Sequence, residues 1–273
     1  VPPADLGRAR PESVGMSSQR LARLTTEMKA LTERGELPGV VTMVARMGKV
    51  VHLEAAGKRE LEGGAPMQKD TIFRIYSMTK PITGVAMMLL LEQGKWQLND
   101  PVSKHIPEFA DLKVAKVDPA NGSVKTVEPD HPMTMRELMS HSGGLSYGFF
   151  GGTAVDKMYG EQKVFDQSQP MQVMIDRLAK VPLLFQPGER WHYSLSVDVQ
   201  GYLVEKLSGQ PFPEFLQQHL FGPLRMVDTG SYVPEEKWDR LAPLYIPTAT
   251  GLVRVDEAMQ VAARRNPVLL MGG

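Results

Sequence analysis

Residues 82–91 carry no charge and almost no polar atom, and no other stretch constrains the fold of this chain as tightly. Val85, Met87, Met88, Leu89, Leu90 and Leu91 leave a helix there without a polar face, and such a helix belongs in a core. Gly94 supplies its stop. No apolar run in the chain approaches the length of a membrane span. The helix opens directly after Phe73-Arg74-Ile75-Tyr76-Ser77-Met78-Thr79-Lys80-Pro81. Residues 72–75 read as a short strand, and Pro81 is tolerated only in a helix's first turn. The chain therefore predicts a strand-to-helix junction with Ser77 opening a buried central helix, a rigid place for a site.

Lys80 lies three residues past Ser77, and i and i+3 share a helix face. The spacing puts an amine beside a hydroxyl. A free serine hydroxyl is a weak nucleophile, and an adjacent base must take its proton. By itself the pair is weak, since roughly one Ser-x-x-Lys arises by chance in a chain this long. The plainer reading makes Ser77 an N-cap and Lys80 a solvated first-turn residue.

Around this junction the pattern is mixed. Ser17 caps a helix over 18–32, with Leu21, Leu24, Met28 and Leu31 as its apolar stripe. Two β-rich runs, 40–46 and 50–55, flank Met47-Gly48-Lys49 and read as a hairpin. A lone hairpin is marginal, so further strands must complete its sheet. Residues 59–70 read as a loop, Leu98-Asn99-Asp100-Pro101 as a turn, and 111–132 as an extended excursion without periodicity. Thr134 caps a short helix over 135–140. Residues 142–152 form a Gly-rich, aromatic loop suited to a cleft edge. Helices follow over 170–180, 196–207 and from Pro211 to about 220. Between the first two lie a turn, Gln186-Pro187-Gly188-Glu189, and an extended piece, Trp191-His192-Tyr193. Residues 266–273 are apolar and end without a closing element. With so few strands in view, the sheet reads as incomplete.

Several function classes fall away. Lys and Arg number 31, as do Asp and Glu, so nothing in the charge points to nucleic acid or an anionic membrane. There is no cysteine, hence no disulfide scaffold and no thiol nucleophile. The six histidines make no His-x-x-x-His pair, and no Gly-rich loop has phosphate-binding spacing. No metal and no cofactor is expected. The first residues carry no signal-peptide pattern. The expected compartment is cytoplasmic, or periplasmic or secreted if a leader has been removed. Gly144-Leu145-Ser146-Tyr147-Gly148 matches the nucleophile elbow Gly-x-Ser-x-Gly, but that motif needs a strand before and a helix after. A short helix precedes Ser146 and Phe149-Phe150-Gly151-Gly152 follows, so a cleft loop is the better reading.

Taken together, five stretches resemble one family. They are Ser77-Met78-Thr79-Lys80, Leu98-Asn99-Asp100-Pro101-Val102, Glu137-Leu138-Met139-Ser140-His141-Ser142-Gly143-Gly144-Leu145, Pro187-Gly188-Glu189-Arg190-Trp191-His192-Tyr193-Ser194 and Phe221-Gly222-Pro223-Leu224-Arg225-Met226. In this order they resemble the serine β-lactamase and penicillin-binding-protein fold, nearest its class C-like branch of family VIII carboxylesterases. The resemblance implies an α/β (α+β) architecture: an antiparallel sheet flanked by helices, with an inserted all-α domain and a cleft between. Residues 1–100 and 225–273 would build the α/β domain and 101–224 the helical one. It implies Ser77 as acylated nucleophile, with Lys80 and Tyr193 as a coupled proton-transfer pair. Tyr76, Tyr147, Phe149 and Leu195 would touch substrate. The implied activity is hydrolysis of short-chain esters through an acyl-enzyme, with weak β-lactamase activity at its side. A penicillin sensor without turnover, or a peptidase or acyltransferase of the same fold, is the alternative. Two departures stand out. Leu195 occupies a place where the family's lactamases carry Asn, which leans toward esters. The late strand with Lys-Thr-Gly or its esterase counterpart is absent. A segment beyond Gly273 or a second chain is therefore expected to complete the fold and its oxyanion hole, and the oligomeric state is left open.

Overall fold

The computed structural model describes residues 6–118, 120, 122–149, 152–166 and 168–255. In chain order these form β1 (Gly7–Arg8), α1 (Ser18–Glu33), β2 (Gly39–Arg46), β3 (Lys49–Gly57), α2 (Thr79–Glu92), β4 (Val114–Val117), β5 (Val124–Val127), α3 (Met135–Met139), α4 (Ala154–Glu161), α5 (Met171–Leu178), α6 (Ser196–Ser208), α7 (Phe212–Leu216), β6 (Tyr245–Thr248) and β7 (Gly251–Arg254). They fall into two compact units. One takes the described residues up to Arg74 and those from Tyr232 onward; the other takes Ile75–Ser231. The apolar segment 266–273 lies outside the described residues.

In the first unit, the Ser17 side chain accepts a hydrogen bond from the Arg20 N–H at 3.3 Å and starts α1, as its cap residue predicts. The half-buried stripe Leu21, Leu24, Met28 and Leu31 turns toward β3. β2 and β3 pair antiparallel from Arg46↔Lys49 outward, with a bulge at Val44/Ala45. The loop between them is two residues, one shorter than the sequence pattern suggests. Met47 (φ 51°) and Gly48 (φ 69°) are both left-handed, the conformation whose twist matches a hairpin. β1 completes the sheet by pairing parallel with β3, giving the order β1-β3-β2.

The β6–β7 hairpin was not legible, because Pro247 inside a run reads as a strand breaker. It pairs antiparallel regardless, Tyr245↔Arg254 to Thr248↔Gly251. Its side chains clamp the polar loop after β3: the Tyr245 hydroxyl donates to Glu62 at 2.6 Å, and Arg254 meets Glu60 at 2.6 Å. The strand expected over 72–75 shrinks to a single bridge, Ile72 with Leu241. Ile72 exchanges backbone hydrogen bonds with Arg240 and Ala242, both 2.9 Å. Phe73 and Ile75 are exposed, and Tyr76 turns left-handed (φ 41°), which ends the extended run.

In the second unit α6, not α2, is the core helix. Residues 196–204 are all buried, although Ser196, Asp198 and Gln200 made that helix read as amphipathic. Two of the polar side chains find partners, one local and one distant. Ser196 and Ser194 hydroxyls lie 2.7 Å apart, and Gln200 donates to the Leu138 carbonyl at 3.2 Å. α2 packs on α6 through Ala86, Met87 and Leu90, but Val85 and Met88 are 45% and 46% exposed. The expectation of all-round burial therefore fails, since one neighbouring helix covers only one side. Trp96 fastens the end of α2 by donating from Nε1 to the Met87 carbonyl at 2.9 Å. The excursion over 111–132 contains a second hairpin, β4–β5.

α3 and α4 each begin with a capping box, Thr134 with Glu137 and Thr153 with Asp156. Thr134→Ala removes the first of these, with an expected loss of about 1 kcal/mol of stability in urea unfolding at unchanged m-value.

Candidate functional site

Ser77 lies in a single 3-10 turn, Tyr76–Met78, that leads into α2. The helix proper starts two residues later than the nucleophile candidate, yet the three-residue spacing still works: the Lys80 ammonium donates to Ser77 Oγ at 3.4 Å. Tyr76 holds its left-handed φ of 41° directly before the serine. For a non-glycine residue that conformation stores local strain, of the kind concentrated at functional turns. Ser77 itself is exposed, so its hydroxyl is open to a substrate.

Tyr193 arrives on the extended piece before α6, and its hydroxyl is 2.6 Å from Ser77 Oγ. Lys80 also donates to the Tyr147 hydroxyl at 3.1 Å. The ammonium lies 4.8 Å from the centre of the Tyr193 ring and 5.5 Å from that of Tyr147. One lysine thus serves two phenols and the serine. Burial works against the lysine's charge, but hydrogen bonds with Tyr193 and Tyr147 outweigh it and raise the amine above its usual value. Burial likewise pushes the Tyr193 phenol up. Hydrogen bonds from Lys80 and Ser77, with the lysine charge, overcome this and lower it. Tyr147 moves the other way: burial and the negative charge of Asp198 raise it in spite of Lys80. Of the two phenols, Tyr193 is the one poised to ionise while Lys80 stays a cation.

The rings form a column. Tyr147 stacks on Tyr193 with centroids 5.3 Å apart, and Tyr193 lies 5.3 Å from His141. His141 Nδ1 accepts from the Ser194 N–H at 3.2 Å. Burial, then the charges of Lys80 and His192, hold its imidazole down to about 4. It is neutral at physiological pH and packs the tyrosine in place.

The four residues expected to touch substrate fare differently. Tyr76 and Phe149 are exposed, at 47% and 63%. Tyr147 is buried and reaches the site through Lys80, a role its sequence position did not disclose. Leu195 is a correction. It is fully buried in the core at the head of α6, so its side chain offers a substrate nothing.

Ser146, the elbow-like serine, is also buried. Its hydroxyl donates to Asp156 Oδ1 at 2.5 Å, and its N–H donates to the Tyr159 hydroxyl at 2.8 Å. No strand precedes it and α4 starts eight residues later. It moors the Gly-rich loop to α4 and so fixes the neighbouring Tyr147. Among the described residues no group of three His, Cys, Asp or Glu could hold a metal ion, and no helix is long and apolar enough to cross a membrane.

Comparison with known proteins places the chain in a family. The Beta-lactamase family model matches residues 24–267, and the chain belongs to that family. Its architecture of helices and small sheets is the β-lactamase-like α/β fold, as the sequence resemblance implied. Protein Rv1367c of Mycobacterium tuberculosis is 36% identical over 219 residues, covering 80% of this chain and 53% of its own length. Esterase EstB of Burkholderia gladioli is 34% identical, covering 85% of this chain and 56% of its own length. Among solved structures, EstCE1, described as a hydrolase with promiscuous acyltransferase activity, aligns with a TM-score of 0.74 at 30% identity. That alignment covers 87% of this chain and 59% of EstCE1. The chain thus spans a little over half the length of these relatives.

Proposed function

We propose that the protein is a serine carboxylesterase that cleaves short-chain esters through an acyl-enzyme on Ser77. One observation carries this reading: an exposed serine hydroxyl lies 2.6 Å from a tyrosine whose phenol is pulled down by a lysine ammonium. Tyr193 phenolate takes the Ser77 proton as Oγ attacks the ester carbonyl. The same hydroxyl then returns the proton to the departing alcohol. Water repeats the cycle in reverse and releases the acid, as microscopic reversibility requires. Lys80 moves no proton in this scheme; its charge steadies the phenolate. The N-terminus of α2 lies beside Ser77 and favours the developing oxyanion. With Leu195 buried and apolar, no amide group stands at that place to engage a lactam side chain. Transfer of the acyl group to an alcohol acceptor in place of water is the second reading, supported by the activity that EstCE1's description names.

A fluorophosphonate tests the assignment, because a serine alkoxide displaces fluoride and leaves a stable phosphonyl adduct. The expected mass increase maps to Ser77, disappears in Ser77→Ala and persists in Ser146→Ala. An adduct on Ser146 would sink the mechanism. Ser146→Ala is instead expected to lower stability by about 1–3 kcal/mol, since it leaves the buried Asp156 carboxylate one donor short. Sustained hydrolysis of ethyl acetate separates an esterase from a sensor that acylates once. Adding an alcohol acceptor and looking for the exchanged ester separates transfer from hydrolysis.

A further inference from the structure

An open pocket of about 430 Å³ has Tyr147 among its walls. Tyr147, Phe149, Tyr159, Val164 and Phe165 line it, together with Gly160 of α4. Three of its walls are one another's ring partners. Tyr147 and Phe165 stack nearly parallel, with centroids 5.6 Å apart at 5°, and Phe149 tilts against both at 5.1 and 5.7 Å. Lys163 and Asp166 also line the pocket, and Arg177 fastens both. Arg177 donates to the Lys163 carbonyl at 2.7 Å and meets Asp166 at 3.4 Å, and Val164 N–H bonds to the Tyr159 carbonyl at 3.1 Å. Its Tyr147 wall carries the hydroxyl that accepts from Lys80, and Lys80 in turn donates to Ser77, so one side chain links the pocket to the nucleophile's partner.

The volume decides what the box suits. Ligand sites run from roughly 300 to 1,000 Å³, and an apolar cavity of about 150 Å³ already holds benzene. An acetyl group would leave most of this space unfilled. From this we infer that the cavity is the specificity pocket of the proposed esterase and takes an arylalkyl group of the ester. This rests on the acyl-enzyme reading above and narrows its substrate class: esters with one small side and one ring-bearing side. Aromatic walls recognise a ring by offset or edge contact, and its burial removes apolar surface from water.

Gly160 provides the test. A Cβ built there meets nothing within 4 Å, so a side chain can start from this position, which itself lines the pocket. Leucine is also the better helix former, which protects the fold. The readout is kcat/KM by pH-stat for ethyl 3-phenylpropionate, with its ring on the acyl side, and 2-phenylethyl acetate, with its ring on the alcohol side, each against ethyl acetate. In the wild-type protein one ring-bearing ester is expected to exceed ethyl acetate at least about tenfold, and which one it is assigns the side that enters the box. Gly160→Leu is expected to collapse that ratio. Phe165→Ala, which removes a wall instead of filling the space, is expected to lower it too. A ratio near one in the wild type, or one unchanged in both variants, overturns the inference.

A second readout needs no catalysis. Saturation-transfer NMR with 3-phenylpropionamide is expected to show binding to the wild type and none to Gly160→Leu. If Ser77 proves inert yet this binding holds, the catalytic reading falls and the pocket stands. If catalysis holds and the amide does not bind, the pocket falls.

Discussion

Ser77→Ala is expected to reduce ester turnover by roughly five to six orders of magnitude, the scale on which serine hydrolases lose rate when the nucleophile goes. No neighbouring group is placed to substitute. Ser146 is buried and committed to Asp156, and the Lys80 amine is a cation held by two phenols. Because Ser77 is exposed, losing its hydroxyl leaves no buried cavity; Tyr193 and Lys80 lose one contact at an exposed position, and Lys80 keeps Tyr147, so the melting temperature is expected to move by no more than a degree or two. That pairing of a collapsed rate with an intact fold is the diagnostic outcome. Residual activity within tenfold of wild type would show that acylation happens elsewhere.

The second large effect falls on Tyr193. Tyr193→Phe keeps the ring and its stacking on Tyr147 and His141 but removes the oxygen 2.6 Å from Ser77. A positioned general base contributes about 10²- to 10⁴-fold, and a loss of that size is expected in kcat. The pH profile gives the sharper check. The base works when deprotonated, so kcat/KM should fall as pH drops through the Tyr193 pKa. Lys80 and Ser77 hold that value below the ordinary tyrosine value of about 10. At the alkaline end activity should decline only as Lys80 loses its proton, above the usual lysine value, because its pKa is raised. No inflection from His141 is expected near pH 6.5, since it is already neutral above about 4. In Tyr193→Phe the acidic limb should vanish. If it persists unmoved, the phenol is not the base. The double variant Lys80→Met/Tyr193→Phe should cost less than the sum of the two single effects, because removing the cation alone already lets the phenol return toward its ordinary value.

How much of this was legible depends on how far apart the cooperating residues lie. The Ser77–Lys80 pair could be read from the chain because three residues of helical spacing suffice to bring them together, and the 3.4 Å contact follows from that alone. Caps and turns were legible for the same reason: Ser17, Thr134 and the Met47-Gly48 loop act on backbone groups within three residues of themselves. The resemblance supplied Tyr193, 116 positions away, and it also supplied Leu195. Family pattern offered the second as a substrate contact and said nothing of its burial.

The remainder was decided by packing. Composition made α2 look buried on all sides, yet neighbours cover only one of its faces, while α6 is buried throughout residues 196–204, its polar groups met by Ser194 nearby and by the Leu138 carbonyl from a distant segment. The hairpins β4–β5 and β6–β7 escaped because strand pairing is a contact between segments, and Pro247 hid one of them. The second phenol on Lys80 is the clearest case. Nothing near Tyr147 in the chain marks it, and it reaches the lysine only because Ser146, Asp156 and Tyr159 moor its loop to α4. By itself the sequence determined which groups lie within a turn of each other, since local backbone geometry is the same in any surroundings. Tertiary structure alone decided which phenol is pulled down and which is raised, because that depends on burial and on charges brought together from distant segments.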